Sequence, residues 1–494
     1  MITGGARKAK ARVGRRPSKV LLAPKDAAGW PGAGGGQAGL RPHMVMFRGT
    51  SRQICGLWPF SAGANAPLVG APLGRHYHTG GSVCCDPISW FEHGLISAPS
   101  MFVLGLPGLG KSSFIRHMVL GMAGRGIHPM VLGDLKPDYV DLIEAMGGQV
   151  IDVGRAIINP LDAGNAKEVA HRLPSEAREQ LLAAAHERTL TMVASLIHII
   201  RGAVPSDREV TILDRALRSL EESISGRQAT LADLLQAVRN PSEQMRLAAL
   251  DRGDWTRYQA ITEDLEASLQ ALLGGAFGKV FAGETTVPMK MDRPVVFDVS
   301  ALSNSEKDLQ AAVLLACWSY GFASVEVAQT LADAGVQKRQ RHFIIMDELW
   351  RILRASSGIV DRIDGLTRLN RTIGVGQVMI THTMQDLEAL ASPEDVAKAK
   401  GFVERSKIVA MGGLPHAEMD LVAEVVRMSE AEKRLVTSWQ DPPAWDATTG
   451  VITAPPGRGM FLLKVGGRPG IPVRVELTEV ERALNDTNKR WRRE

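Results

Sequence analysis

Cysteine is scarce in this chain. Its 494 residues hold four, Cys55, Cys84, Cys85 and Cys317, with no C-x-x-C pair. That excludes a disulfide scaffold and fits a reduced compartment. His76 and His78 precede Cys84 and Cys85, but the spacing follows no zinc pattern and reads as ordinary packing. Long apolar runs are short supply too. LTMVASLIHII, residues 190–200, is about half the ~20 residues that a bilayer span takes, and reads as a buried helix. No apolar segment follows Arg15-Arg16, so a twin-arginine export signal is excluded. The chain reads as soluble and cytoplasmic, free to dock peripherally at the inner face of a membrane. Acid is missing from the first 25 residues, which carry eight Lys/Arg. Setting those eight aside leaves 50 Lys/Arg against 53 Asp/Glu, so the pI of about 9.0 belongs to the tail. The body shows no basic field that would mark a nucleic-acid binder. A guanine-reading N-K-x-D is absent, which argues against a GTPase.

What is present is an ordinary globular composition, with 45% hydrophobic and 22% charged residues, long enough for two or three domains. Residues 1–43 are basic and then glycine-rich, a composition that cannot bury a core and predicts a disordered tail. Met44 or Met46 offers an alternative start. Residues 44–100 alternate short apolar runs with Gly and Pro turns and read as a small β-rich segment. From 101 to 164, and again over 290–494, strands alternate with helices, the pattern of a parallel sheet with helices on its faces. Residues 165–289 read as an all-helical insertion. Leu213, Leu217, Leu220 and Ile224 share one stripe, and Thr230 with Asp233 makes a helix start.

The chemistry begins at FVLGLPGLGKSS, residues 102–113. It fits G-x-x-x-x-G-K-[ST] in the required setting of strand, loop and helix. Gly105, Leu106, Gly108, Leu109 and Gly110 supply backbone N–H groups around an anion, Pro107, which has none, lines the same turn, and the helix N-terminus adds its dipole. Lys111 reaches the β- and γ-phosphates, Ser112 holds Mg²⁺, and Ser113 completes the turn. The expected cofactors are ATP and Mg²⁺.

A second strand, FIIM, ends in two carboxylates, Asp347 and Glu348. Such a pair serves hydrolysis by holding the metal (Asp347) and acting on the attacking water (Glu348). A third apolar strand runs into Thr381, His382, Thr383 and Gln385. His382 or Gln385 could sense the γ-phosphate there, with helix capping the rival role for Thr383. The fold expected is α/β, a RecA-like P-loop NTPase of the kind with an extra strand between the two motif strands.

GLWPF, GLPGLGKSS, GDLKPDY, GGQVIDV, NPLD, PVVFDVSAL, MDELWRIL and the ending from GRGMFLLKV to ALNDTNKRW occur in one order. Together they resemble the large ATPases of conjugative type IV secretion systems, the VirB-four/TraC group of the HerA–FtsK superfamily, over residues 55–494. The resemblance implies a ring, hexameric or a dimer of trimers, powering apparatus assembly or substrate transfer. It implies partners too: more copies of itself, membrane-embedded channel proteins, a relaxase or coupling protein, and DNA. His382 stands where the family more often has glutamine. The short stretch before the P-loop implies a truncated chain or a short form that leans on another subunit. In a ring a neighbour supplies an arginine to the transition state. Arg368 and Arg371 are the candidates, with Arg458 the outsider. The rival reading is a DNA translocase or coupling ATPase of the FtsK or HerA kind.

Overall fold

Five consecutive buried residues, Ser100–Leu104, form a strand with no exposed side. Such strands belong inside a parallel sheet covered on both faces. The computed structural model describes residues 66–302, 306–354, 360, 363, 374–390, 392–443, 445–446, 451–452 and 454–484. These lie within the unit Gly63–Glu494.

In chain order the first elements are β1 (Pro72–His76), β2 (Ser82–Cys84), α1 (Pro87–Glu92), β3 (Ser100–Leu104), α2 (Lys111–Ala123), β4 (Ile127–Asp134), α3 (Val140–Ala145) and β5 (Gln149–Asp152). A helical stretch follows: α4 (Ala166–Ala170), α5 (Ser175–Arg201), α6 (Asp207–Ser223), α7 (Leu231–Arg239), α8 (Glu243–Ala249), α9 (Trp255–Leu273) and α10 (Gly275–Phe281). Then come β6 (Val295–Asp298), α11 (Lys307–Asp333), β7 (Arg341–Met346), α12 (Leu349–Leu353) and β8 (Val375–Ile380). The chain closes with α13 (Gln385–Glu388), α14 (Pro393–Arg405), β9 (Ile408–Met411), α15 (His416–Val425), α16 (Glu430–Ser438), the short pair β10 (Trp445–Asp446) and β11 (Val451–Ile452), β12 (Met460–Lys464), β13 (Ile471–Val475) and α17 (Glu479–Leu484).

One sheet has the order β2-β1-β13-β12-β9-β3-β8-β7-β4-β6-β5. From β9 to β5 every pairing is parallel. From β12 outward the pairings are antiparallel. The N-terminal strands β1 and β2 thus extend the main sheet through β13 instead of forming a layer of their own. His76 closes their turn, its Nδ1 accepting from the N–H groups of His78 and Thr79.

Alternation along the strands separates two cores. Phe102, Leu104, Met130, Leu132, Ile344 and Met346 face one side and join the apolar stripes of α5, α6, α7, α9 and α11. Met101, Val103, Val131, Phe343 and Ile345 face the other, against Trp90 of α1 and Phe114, Ile115, Met118, Val119 and Met122 of α2. By length and composition α11 could cross a membrane, yet its most apolar window is 89% buried within the protein. It is a core helix, and it approaches β4 so closely that a Cβ at Gly321 would meet Leu132, and one at Gly133 would meet Leu314.

Between β5 and β6 every regular element is a helix. Thr230 accepts from the Asp233 N–H while Asp233 accepts from the Thr230 N–H, a reciprocal cap. Ser206 and Glu209 start α6 in the same way. His186 of α5 is 5% exposed and bridges to α6, its Nε2 donating to Asp214 at 2.8 Å and its Nδ1 to Glu221 at 3.1 Å. The Glu221 and Asp214 hydrogen bonds raise its pKa against the opposing effect of burial. Both ring nitrogens donate only in the imidazolium, so the contact needs the proton. Because the folded pKa lies above the ordinary 6.5, its stabilisation is complete below that value and fades as pH rises through the raised pKa. His186→Gln should therefore cost about 1–2 kcal/mol in urea unfolding at pH 6 and clearly less at pH 9. An equal cost at both would exclude the ionic bridge.

Candidate active site

The turn after β3 is built on left-handed backbone. Gly108 has φ +81° and Gly110 has φ +97°, conformations that a side chain strains. Three strand ends pin it. The Gly105 N–H donates to the His382 carbonyl after β8, and the Leu106 N–H donates to the Gly413 carbonyl after β9. The Leu109 carbonyl accepts from the Gly459 N–H just before β12. The helix N-terminus of α2 follows directly, with Gly110 as N-cap.

Lys111, 9% exposed, turns its Nζ back to donate to the Gly105 carbonyl. Burial lowers its pKa to about 8, against the pull of Asp347 and Glu348. His382 Nδ1 lies 2.9 Å from that ammonium and accepts from it. Its other nitrogen, Nε2, is 3.5 Å from Glu348 Oε2. Burial and the Lys111 charge lower the His382 pKa, which keeps the ring neutral and able to do both.

β8 lies between β3 and β7 in the sheet, so Lys111, Ser112, Asp347, Glu348 and His382 converge from three adjacent strand ends. In an open parallel sheet these ends form the ligand crevice. Thr383 caps α13: its Oγ1 accepts from the Asp386 N–H, and Asp386 accepts from the Thr383 N–H. Gln385 opens that helix, and among the described residues its side chain has no hydrogen bond to the other members of the site. Arg458 is exposed, next to the Gly459 that braces the P-loop. Arg368 and Arg371 lie outside the described residues.

The loop after β4 supplies further groups that belong to neither the P-loop nor the Asp347-Glu348 motif. Asp134 accepts from the N–H groups of Asp138 and Tyr139 and so shapes the loop. Asp138 Oδ2 accepts from the Ser112 hydroxyl at 3.0 Å. The Tyr139 hydroxyl donates to Asp347 Oδ2 at 3.2 Å. Lys136 Nζ donates to Glu348 Oε1 at 2.7 Å, and Trp350 Nε1 donates to Glu348 Oε2 at 2.6 Å. The signal for them was topological: GDLKPDY is a polar run at the carboxyl end of a parallel strand.

The oxygen-only set of Ser112, Asp347 and Asp138 suits a hard cation such as Mg²⁺, and Lys111 with the loop N–H groups suits a polyphosphate. Asp347 keeps a solvent-facing edge. Desolvation and then the Glu348 charge nevertheless push its carboxyl up to about 7.

No family model matches the chain, and no curated relative matches it in sequence. Among solved structures, VirB4 of Thermoanaerobacter pseudethanolicus superposes with a TM-score of 0.63 at 19% identity, over 85% of this chain and 100% of that one. A bacterial conjugative coupling protein, TrwB lacking its N-terminal segment, matches with a TM-score of 0.45 at 11% identity, over 77% of this chain and 86% of that one.

Asp347 also generates a stability prediction. Its folded pKa of about 7 exceeds the ordinary 3.8, so ionisation opposes folding increasingly between those values and fully above them. Asp347→Asn should stabilise the nucleotide-free, Mg²⁺-free protein at pH 8 by about 1 kcal/mol, a figure discounted for its wet edge, and by less at pH 5. A variant no more stable than the parent at pH 8 would contradict this. Strand order, motif placement and the superposition agree on one conclusion: the chain has the P-loop ATPase fold seen in VirB4.

Proposed function

We propose that this chain is an ATP-hydrolysing motor of a conjugative or type IV secretion apparatus, powering assembly or the transfer of DNA or protein. The observation that carries the reading is the convergence of Lys111 and Ser112 from β3–α2, Asp347 and Glu348 from β7, and His382 from β8 on one crevice. The VirB4-like fold and the order of the sequence motifs supply the apparatus.

In this reading Gly105 to Gly110 and Ser113 line the phosphates, and Lys111 neutralises the β- and γ-oxygens. Ser112 and Asp347 would hold Mg²⁺, which when bound would offset charge developing on the phosphates. Glu348 orients the attacking water and accepts its proton, and His382 reports the γ-phosphate to Lys111 and Glu348. Protomers form a ring, with hexamers the expected size, and Arg368 or Arg371 of a neighbour reaches the transition state. The motor works in the cytoplasm, at the inner face of a membrane channel, with a relaxase or coupling protein delivering cargo.

Lys111→Ala should abolish retention of labelled ATP, and retention equal to the parent would end the reading. Glu348→Gln should keep ATP binding while turnover falls by about 10²-fold or more. Unchanged turnover would remove Glu348 from the chemistry. Turnover raised many-fold by duplex DNA, and lowered by salt, would favour a DNA translocase instead.

A further inference from the structure

Glu348 holds φ at +53°. A non-glycine residue keeps such backbone where its surroundings impose it, and such sites concentrate at functional clefts. Here the imposing contacts are visible. Lys136 donates to Oε1 and Trp350 to Oε2, while the Glu348 N–H donates to Asp347 Oδ1 at 2.8 Å. The glutamate side chain is 9% exposed, and that of Lys136 is 59% exposed. Both carboxylate oxygens are therefore committed to donors, and one donor is a full positive charge. A base that activates water has to turn an oxygen toward the nucleophile.

Lys136 sits on the loop between β4 and α3. The same loop places Asp138 on the Ser112 hydroxyl and Tyr139 on Asp347. It touches the cation side and the water side of the cleft together. A divalent cation held by Ser112 and Asp347 would attract the Asp138 carboxylate and repel the Lys136 ammonium. These pulls on one short loop both act against the Lys136–Glu348 contact, and the exposed lysine can swing into water at little cost.

We propose that Lys136 is a positioning residue that holds Glu348 turned away from the attacking water until the cation and nucleotide shift the 134–139 loop. The proposal rests on the reading of Glu348 as the water-activating group. Its removal should speed hydrolysis without altering nucleotide affinity. In the full chain, Lys136→Met should raise kcat about fivefold with KM within about twofold, and Lys136→Arg should return to the parent rate. Trp350 provides a readout apart from turnover, because its indole donates to the same carboxylate. Its emission is obtained by subtracting the Trp350→Phe variant from the parent. Mg²⁺-ADP should shift that emission in the parent, and Lys136→Met, paired with its own Trp350→Phe blank, should show the shifted emission before any ligand is added. Turnover of Lys136→Met at or below the parent, or ligand-free emission identical to the parent, overturns the proposal. If Glu348→Gln is inactive and Lys136→Met is no faster, the positioning role alone fails. If Glu348→Gln still turns over, the reading of the site itself has failed.

Discussion

Four carboxylates and two ammonium groups share one edge of a parallel sheet: Asp134, Asp138, Asp347 and Glu348 with Lys111 and Lys136. Burial works against the charge on several of them. Desolvation pushes the Asp134 carboxyl up to about 6 and Asp347 to about 7, and brings Lys111 down to about 8. Such groups keep their charges close to neutrality only when a partner of opposite sign, or a ligand, shares the space. The sheet, the helices on its faces and the three-way bracing of the P-loop hold these charges where a cation and a polyphosphate would complete the balance.

The division of labour follows from strand order. β3 carries the glycine turn and Lys111, β7 the acids, and β8 between them the neutral histidine that touches both. His382 accepts from Lys111 with one nitrogen and faces Glu348 with the other. An imidazolium could not accept from Lys111, so the depressed basicity of the ring is what permits the link. Glutamine, which the resembling family more often places there, offers the same pairing of an acceptor with a donor.

The parts of this arrangement legible in the sequence were those whose physics is local. The P-loop declares itself through glycines that must adopt left-handed backbone, and Asp347-Glu348 through an apolar run that stops at two acids. The Thr230–Asp233 cap is a four-residue pattern. Lys136, Asp138 and Tyr139 were visible as letters in GDLKPDY, yet their targets, Glu348, Ser112 and Asp347, lie 26 to 212 positions away. No spacing rule joins them; the sheet does. The same non-locality hid the extension of the sheet by β1 and β2, whose partner β13 is near the other end of the chain. The composition of α11 would also suit a bilayer span, and its partners place it inside the protein.

Apart from a small cluster of Ala166, Leu173, Leu181 and Ala185 with Val327 and Leu331 of α11, the helices between β5 and β6 share the core of the sheet. Leu213, Leu235 and Leu269 belong to the same unbroken apolar cluster as Phe102 and Leu104, the strand that delivers the P-loop. α11 is the mortar between them, packed on β4 on one side and on α5 on the other. Close-packed interiors transmit displacement instead of absorbing it. A load applied to the helical layer is therefore passed to the glycine turn after β3, and the crevice and the outer helices are mechanically coupled through one packed interior.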